Sequence, residues 1–224
     1  MEHGRLDVSP DGTLLASGGN DGRVCLWNIA DGTLVRELPS HARNIYSITF
    51  TPDGKFVLSG DLIGVLKQSD VATGAEVRTF DAKPLHTYEG GQAVDFGGIR
   101  SIAVSPDNKF IAAGGLYKAT NPLGAVHEPI VLLFNWETQK LERQQIADGI
   151  PGGVLWRLKW IADGSLMGLS SGSSGGILLF WKPDADKDYF RFGLPNLARD
   201  MDLHSDGLQV ATAHYDKHVR ITRL

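Results

Sequence analysis

The chain has 224 residues, of which 42% are hydrophobic and 21% are charged, a composition typical of a single globular domain. Its formal net charge of −4 gives no overall basic field that would favour nucleic acid or an anionic membrane surface. The single cysteine, Cys25, excludes an intrachain disulfide and a zinc site built from several thiolates. The 27 glycines exceed the usual share and predict many tight turns between short strands.

One turn motif recurs along the chain. It reads SPDG at 9–12, TPDG at 51–54, SPDN at 105–108, IADG at 161–164 and HSDG at 204–207. The aspartates of these turns are spaced by 42, 54, 56 and 43 residues. The two short intervals indicate a repeat of about 42 residues, and the two long intervals indicate the same repeat with insertions.

Apolar residues occupy fixed positions before each turn. The positions five and three residues before the turn aspartates are all apolar, and this two-residue spacing predicts one face of a strand. They are Leu6 and Val8, Ile48 and Phe50, Ile102 and Val104, Leu158 and Trp160, and Met201 and Leu203. Further apolar runs follow each turn, and in the first repeat TLLAS, RVCLWN and GTLVREL predict a second, third and fourth strand.

Four short antiparallel strands in about 42 residues resemble one blade of the WD-repeat (WD40-type, G-protein β-like) β-propeller family. The resemblance covers essentially the whole chain and is strongest over residues 4–38. It implies an all-β fold, a β-propeller of four-stranded antiparallel blades in one domain, 1–224. The five recognisable blades span about residues 4–40, 44–80, 98–146, 154–194 and 197–224.

In that family, a buried tetrad of His, Ser or Thr, Asp and Trp reinforces a blade by hydrogen bonds. The resemblance finds only parts of the tetrad here, with Ile63 at the Asp position and Ser69 at the Trp position of blade 2. We therefore expect structural roles for these residues and stability mainly from apolar packing between blades. The matching residues are Ser17, Asp21 and Trp27 in blade 1, His41 and Ser59 in blade 2, Trp181 with Ser170 or Ser171 in blade 4, and Thr212 and Asp216 in blade 5.

The last blade is predicted to lack its outer strand, because the chain ends in the third-strand segment VRITRL. Residues 1–4 are too few for an additional strand of ordinary length. Three interpretations stay open: a fragment of a longer propeller, which we favour, a five-blade ring with a three-stranded last blade, or an open array completed by another copy. Self-association or additional blades would complete the open edge.

The insertions gather on one rim of the predicted propeller, around blades 3 and 4. They span residues 81–98, 116–129, 147–153 and 171–176. Long loops on a rigid scaffold commonly carry binding residues. The position seven residues before each turn aspartate lies near the channel mouth and varies in chemistry, with Gly4, Tyr46, Arg100, Trp156 and Arg199.

Aromatic residues and Arg are preferred anchors at protein interfaces. The sequence therefore predicts a non-catalytic scaffold that binds a protein or peptide on the loop-rich rim of blades 3 and 4. The predicted anchors are Tyr46, Tyr88, Arg100, Tyr117, Trp156 and Arg199. A purely structural interpretation instead packs Trp156 between blades and pairs Arg100 and Arg199 with Asp95 and Asp200.

The alternative is a propeller enzyme, or a binder of a metal or small ligand, that uses the central channel and His86, His127 and Glu128. The chain has neither a nucleophile elbow nor a phosphate-binding loop with its lysine. We expect no catalytic residue, cofactor or metal, and no nucleic-acid or membrane partner. Without a signal-peptide pattern or a transmembrane segment, we expect a cytoplasmic location by default.

Overall fold

The computed structural model describes residues 5–120, 127–173 and 175–224. In this part of the chain, antiparallel strands form successive sheets, each with its strands in chain order. Blade 1 contains β1 (Arg5–Val8), β2 (Leu14–Gly18), β3 (Val24–Asn28) and β4 (Leu34–Leu38). Blade 2 contains β5 (Ile45–Phe50), β6 (Phe56–Asp61), β7 (Val65–Asp70) and β8 (Glu76–Asp81).

A short 3-10 helix (Lys83–Leu85) and a hairpin of β9 (His86–Glu89) and β10 (Val94–Gly97) precede blade 3. Blade 3 contains β11 (Ser101–Val104), β12 (Phe110–Tyr117), β13 (Glu128–Asn135) and β14 (Leu141–Ile146). Blade 4 contains β15 (Val154–Trp160), β16 (Leu166–Gly172), β17 (Gly175–Trp181) and β18 (Asp188–Leu194). Blade 5 contains β19 (Ala198–Leu203), β20 (Gln209–His214) and β21 (Val219–Arg223).

The predicted fold class is confirmed: the described residues form an all-β propeller with four four-stranded blades and a three-stranded fifth blade. The first strand of each blade is the inner strand, and the fourth is the outer strand. We call the face that carries the loops between outer and inner strands, and between second and third strands, the loop rim. Among the described residues, no helix is long and apolar enough to cross a membrane.

The recurrent turns between the inner and second strands are held by their own side chains. In the first turn, the Ser9 hydroxyl donates to Oδ1 of Asp11 over 2.6 Å and accepts the backbone N–H of Leu14 over 2.9 Å. Hydrogen bonds from Ser9 and Thr13 lower the pKa of the Asp11 carboxyl. This repeated geometry explains why the aspartate marks every repeat, and why it is a turn residue and not a site residue.

The hydrophobic core lies between neighbouring blades. Between blades 1 and 2, Ala16 and Leu26 pack against Ile48 and Phe50, and all four side chains are buried. Equivalent clusters lie between blades 2 and 3, 3 and 4, and 4 and 5. The alternation along each strand therefore sends one apolar face to the preceding blade and the other face to the following blade.

The two terminal blades each leave one such face uncovered by the described residues. In blade 1, Leu6 is 62% exposed and Val8 is 50% exposed, although Ile48 at the equivalent position of blade 2 is only 7% exposed. In blade 5, Val219 and Ile221 are 70% and 62% exposed. The predicted strand face is present in β1, but no described blade packs against it.

The insertion before blade 3 is an ordered hairpin rather than an irregular loop. His86 pairs with Gly97 across β9 and β10, and Nε2 of His86 lies 2.8 Å from Oδ1 of Asp95. Gly98 follows with φ of 89°, and a Cβ there would lie 2.6 Å from the ring of Tyr46. The chain therefore passes closely over Tyr46 as it enters blade 3, which only glycine permits.

Candidate interaction site

Four of the predicted anchors meet at the mouth of the central channel on the loop rim. The guanidinium carbon of Arg100 lies 4.0 Å from the ring centroid of Tyr46 and 5.8 Å from that of Trp156. The guanidinium carbon of Arg199 lies 5.3 Å from the Trp156 ring. We call Tyr46, Arg100, Trp156 and Arg199 the channel-mouth cluster. Its cations and rings alternate across the inner strands of blades 2 to 5, within the distance at which cation–π attraction acts.

Irregular strand pairing places three of these side chains. The register between inner and second strands shifts between Ile45 and Ser47, between Leu155 and Arg157, and between Ala198 and Asp200. Tyr46, Trp156 and Arg199 are the residues skipped by these shifts. A β-bulge re-aims a side chain and is common next to functional sites, so the bulges account for the side chains that meet at the mouth.

Arg100 is half-buried and has no carboxylate partner within 4.0 Å among the described residues. Burial lowers the pKa of its guanidinium, and the neighbouring Tyr46 opposes this shift. Its Nε and the indole Nε1 of Trp156 are both enclosed, and neither has a hydrogen-bond partner in the described part of the chain. Buried donors without acceptors are uncommon in folded proteins and call for an explanation.

The purely structural pairing of these arginines does not form. Asp95 instead contacts His86, and its Oδ2 lies 3.8 Å from Nε of Arg43. Asp200 makes a two-pronged ion pair with Arg157, at 2.5 and 2.8 Å. Trp156 does pack between blades, and the groups that lie over its ring are the guanidinium groups of Arg100 and Arg199.

Sequence reasoning missed the charged residues that line the channel below this cluster. Arg157 and Lys159 of β15 pair with Asp200 and Asp202 of β19, the lysine at 2.6 Å. The hydrogen bonds that Arg157 donates to Asp200 raise the pKa of its guanidinium. These residues line a cleft of about 350 Å³ between blades 5 and 1. The sequence signal that could have found them is the two-residue spacing of the charged side chains, with two cations on β15 and two carboxylates on β19.

The other two predicted anchors lie apart from the cluster. Tyr88 projects from the hairpin and is 59% exposed. Tyr117, at the end of β12, packs against the core between blades 2 and 3, and Nζ of Lys118 lies 4.9 Å from its ring centroid. Position 4 and residues 121–126 of the third-blade insertion lie outside the described residues.

The residues of the alternative ligand site make internal contacts. His86 contacts Asp95, as described above, and Nδ1 of His127 lies 3.0 Å from the carbonyl oxygen of Gly153. Glu128 accepts the backbone N–H of Gly149 at 3.3 Å. Over residues 5–120, 127–173 and 175–224, no group of three or more His, Cys, Asp or Glu is arranged to hold a metal ion.

Comparison with known families identifies the repeat. A sequence model described as the WD domain, G-beta repeat, matches residues 4–28, 32–62 and 82–117. The chain is a WD-repeat protein. Members of this family generally act as non-catalytic scaffolds, and their propellers typically bind protein partners.

Curated relatives of this WD-repeat protein are longer than the chain. It is 22% identical to a WD repeat-containing protein of Schistosoma mansoni over 92% of the chain and 60% of that protein. It is 31% identical to the meiotic recombination protein rec14 of Schizosaccharomyces pombe over 48% of the chain and 32% of that protein. It is 32% identical to the small ribosomal subunit protein RACK1 of the same yeast, over 49% of the chain and 33% of that protein.

Blade 1 forms one of the hydrogen bonds of the WD-repeat tetrad. Nε1 of Trp27 donates to the Ser17 hydroxyl over 2.8 Å. Asp21 is exposed and accepts the backbone N–H of Arg23 at 3.1 Å.

Blade 2 forms a triad that the sequence pattern only partly predicts. Nε2 of His41 lies 2.8 Å from the Ser59 hydroxyl, and Nδ1 lies 3.1 Å from Oδ2 of Asp61. Asp61 also accepts the backbone N–H groups of Ile63 and Val65. The carboxylate therefore comes from Asp61, two residues before the expected position, where Ile63 stands.

Blade 4 does not pair Trp181 with either predicted serine. Trp181 is opposite Leu166, as Trp27 is opposite Leu15, so the serine position falls on Gly168. A Cβ at Gly168 would lie 2.8 Å from the Trp181 ring. Within the described residues, neither Nε1 of Trp181 nor the hydroxyl of Ser170 has a hydrogen-bond partner. Ser170 and Ser171 lie two and three residues beyond this position, so neither of them occupies it.

Blade 5 uses Thr212 with a different partner. The Thr212 hydroxyl lies 2.8 Å from Nε2 of His214, whose Nδ1 lies 3.1 Å from the carbonyl oxygen of Asn196. Asp216 makes a two-pronged ion pair with Arg220. The predicted tetrad residues of blades 1, 2 and 5 thus have local hydrogen-bond partners, whereas Trp181 and Ser170 of blade 4 have none among the described residues.

Proposed function

We propose that this WD-repeat propeller is a non-catalytic scaffold that binds a protein or peptide on the loop rim, at the channel-mouth cluster and the adjoining loops of blades 3 and 4. One observation carries this proposal. Arg100 and Trp156 meet at the mouth, where the Arg100 guanidinium carbon lies 4.0 Å from the ring centroid of Tyr46 and 5.8 Å from that of Trp156. Aromatic and Arg side chains that are held in place before binding are the residue types that dominate interface energies.

The loops around the cluster support the proposal because they hold each other in place. The backbone N–H of Gly152 donates to the carbonyl oxygen of His127 over 2.8 Å, and the Ser173 hydroxyl donates to that of Pro151 over 2.6 Å. The loops that join blade 3 to blade 4 are therefore tied to the second-to-third-strand loops of both blades. A rim that is ordered before binding loses less conformational entropy when a partner docks.

The relatives point in the same direction. One carries the name of a small ribosomal subunit protein, and such a name describes a component of a larger assembly. A scaffold role for this chain agrees with that name and with the general behaviour of the family.

Affinity capture from a lysate of the source cells tests the proposal. The bait proteins are the wild type, Arg100→Ala, Trp156→Ala and a matched control, Arg223→Ala. Arg223 is exposed at the far end of β21, away from the loop rim. We expect the wild type and the control to retain the same partners, and both rim variants to lose about tenfold or more of the bound partner.

Thermal unfolding of each bait shows that the variants are folded. Partners that stay bound at the wild-type level to both folded rim variants would contradict the proposed function.

A further inference from the structure

We propose that the partner segment that enters the channel mouth is acidic, with a carboxylate of an Asp or Glu side chain bound by Arg100 and a second acidic group near Arg199. This inference rests on the proposed function and specifies the chemistry of its partner. It is carried by the uneven distribution of charge at the mouth and by the geometry of the stacked guanidinium.

Three arginines lie at or near the mouth without an ion-pair partner among the described residues: Arg5, Arg100 and Arg199. Asp95 pairs with His86 and Arg43, Asp200 pairs with Arg157, and Asp7 accepts hydrogen bonds from the Thr49 hydroxyl and the backbone N–H of Phe50. The mouth therefore carries uncompensated positive charge, although the chain as a whole has a net charge of −4.

The cations also disfavour one another. Burial is the largest influence that lowers the pKa of Arg5, and the neighbouring Arg157 lowers it further, whereas Asp200 and Tyr46 oppose the shift. Burial lowers the pKa of Arg100 in the same way, and Arg5 adds to the effect. A bound carboxylate would relieve this repulsion in a partly desolvated place, where a charge-assisted hydrogen bond is stronger than at an open surface.

The stacking geometry selects the shape of the ligand. Tyr46 covers one part of the Arg100 guanidinium at 4.0 Å, and Trp156 lies 5.8 Å away. A guanidinium held against aromatic faces binds through its edge, which matches a planar carboxylate by two parallel hydrogen bonds. A guanidinium carries donors only, so this edge calls for a ligand that accepts hydrogen bonds.

An acidic peptide fits better than a nucleic acid. Binding of a long polyanion is dominated by many phosphate contacts on an extended basic surface. Here the grouped arginines Arg5, Arg100 and Arg199 are limited to the mouth, and ion-paired acidic residues such as Asp200 and Asp202 lie next to it. A short acidic segment can place its charges at the mouth alone.

Fluorescence anisotropy with defined probes tests this inference. The probes are three short labelled peptides of alternating glycine with Glu, Gln or Lys, and a single-stranded oligonucleotide of the same length. We expect the Glu peptide to bind the wild type about tenfold or more tighter than the Gln and Lys peptides and the oligonucleotide. Added salt should weaken this binding, because the site is partly open to solvent.

The variants locate the binding. Arg100→Gln should weaken the Glu peptide about tenfold or more, and Arg100→Lys should restore only part of the loss, because it keeps the charge but not the planar fork. Arg223→Gln also removes one positive charge, but at the end of β21 that lies away from the loop rim. This variant should leave the affinity for the Glu peptide unchanged. Thermal unfolding again confirms that each variant is folded.

Several results would overturn the inference. The Glu peptide could fail to bind, bind no more tightly than the Gln peptide, or bind more weakly than the Lys peptide or the oligonucleotide. Glu-peptide binding that Arg100→Gln leaves intact would also overturn it. The lysate capture decides the proposed function separately. If the rim variants lose their partner but the Glu peptide shows no preference, the rim is an interface for a partner of different chemistry.

Discussion

At the scale of single side chains, the His41–Asp61 pair shows how this propeller keeps charge in its core. Both side chains are almost fully enclosed, at 0% and 1% exposure. Asp61 accepts hydrogen bonds from His41 and from the backbone N–H groups of Ile63 and Val65, so its oxygens are satisfied on several sides. A buried polar group that is fully hydrogen-bonded fixes the local structure, whereas removal of one member leaves the others unpaired.

Asp61→Ala should therefore lower the free energy of unfolding by about 3 kcal/mol, because it leaves His41 and two backbone N–H groups without acceptors. Asp21→Ala, at the position that the repeat pattern assigns to the tetrad, should cost less than about 1 kcal/mol, because Asp21 is exposed and accepts one N–H. Urea unfolding of both variants measures the difference. Equal losses would contradict the assignment of the carboxylate role to Asp61.

At the scale of strands and turns, the outer strands tie neighbouring blades together. The Arg36 guanidinium of β4 donates to the carbonyl oxygens of Ala72 and Thr73 in the blade 2 turn, at 2.8 and 2.6 Å. The Arg78 guanidinium of β8 donates to the carbonyl oxygen of Trp136 in blade 3 and lies 4.7 Å from its ring centroid. Each arginine lies 25 residues after the aspartate of its own repeat, so one position of the repeat performs the same task twice.

Arg78→Ala should lower the free energy of unfolding by about 2 kcal/mol, since it removes a charge-assisted hydrogen bond and a contact with the Trp136 ring. Arg36→Ala should cost about 1 kcal/mol, because Arg36 has carbonyl contacts but no aromatic ring beneath it. Chemical denaturation under one set of conditions compares the two. A larger loss for Arg36→Ala than for Arg78→Ala would refute the contribution assigned to the ring.

At the scale of the whole molecule, the fold follows from the sequence because it depends on periodicity. Apolar residues at Ile48, Ile102 and Leu158 recur at fixed distances before a turn, and each packs between blades in the structure. The position of the channel-mouth residues could also be predicted, because each of them lies seven residues before the aspartate of its repeat. What could not be predicted is the contact between Arg100, Tyr46 and Trp156, since it depends on bulges that shift the pairing by one residue.

Two further side-chain pairs differ from the repeat pattern. Asp61 reaches His41 two residues before the expected position, and Gly168, two residues before Ser170, lies beneath Trp181. Shifts of two residues keep a side chain on the same face of a strand, so the apolar alternation does not reveal them. They depend on packing between segments distant in the sequence, so a repeat pattern predicts the blades with more certainty than the side-chain pairs within them.

The central claim is that this propeller binds its partner on the loop rim at the channel mouth. The most direct test is the change in amide hydrogen exchange of the wild-type protein when the captured partner is added. We expect slower exchange in three rim segments, around Tyr46, from the β9–β10 hairpin to Arg100, and from the blade 3–4 loop to Trp156. Slower exchange confined to the opposite face, at the turns that contain Asp53, Asp107 and Asp163, would contradict the claim.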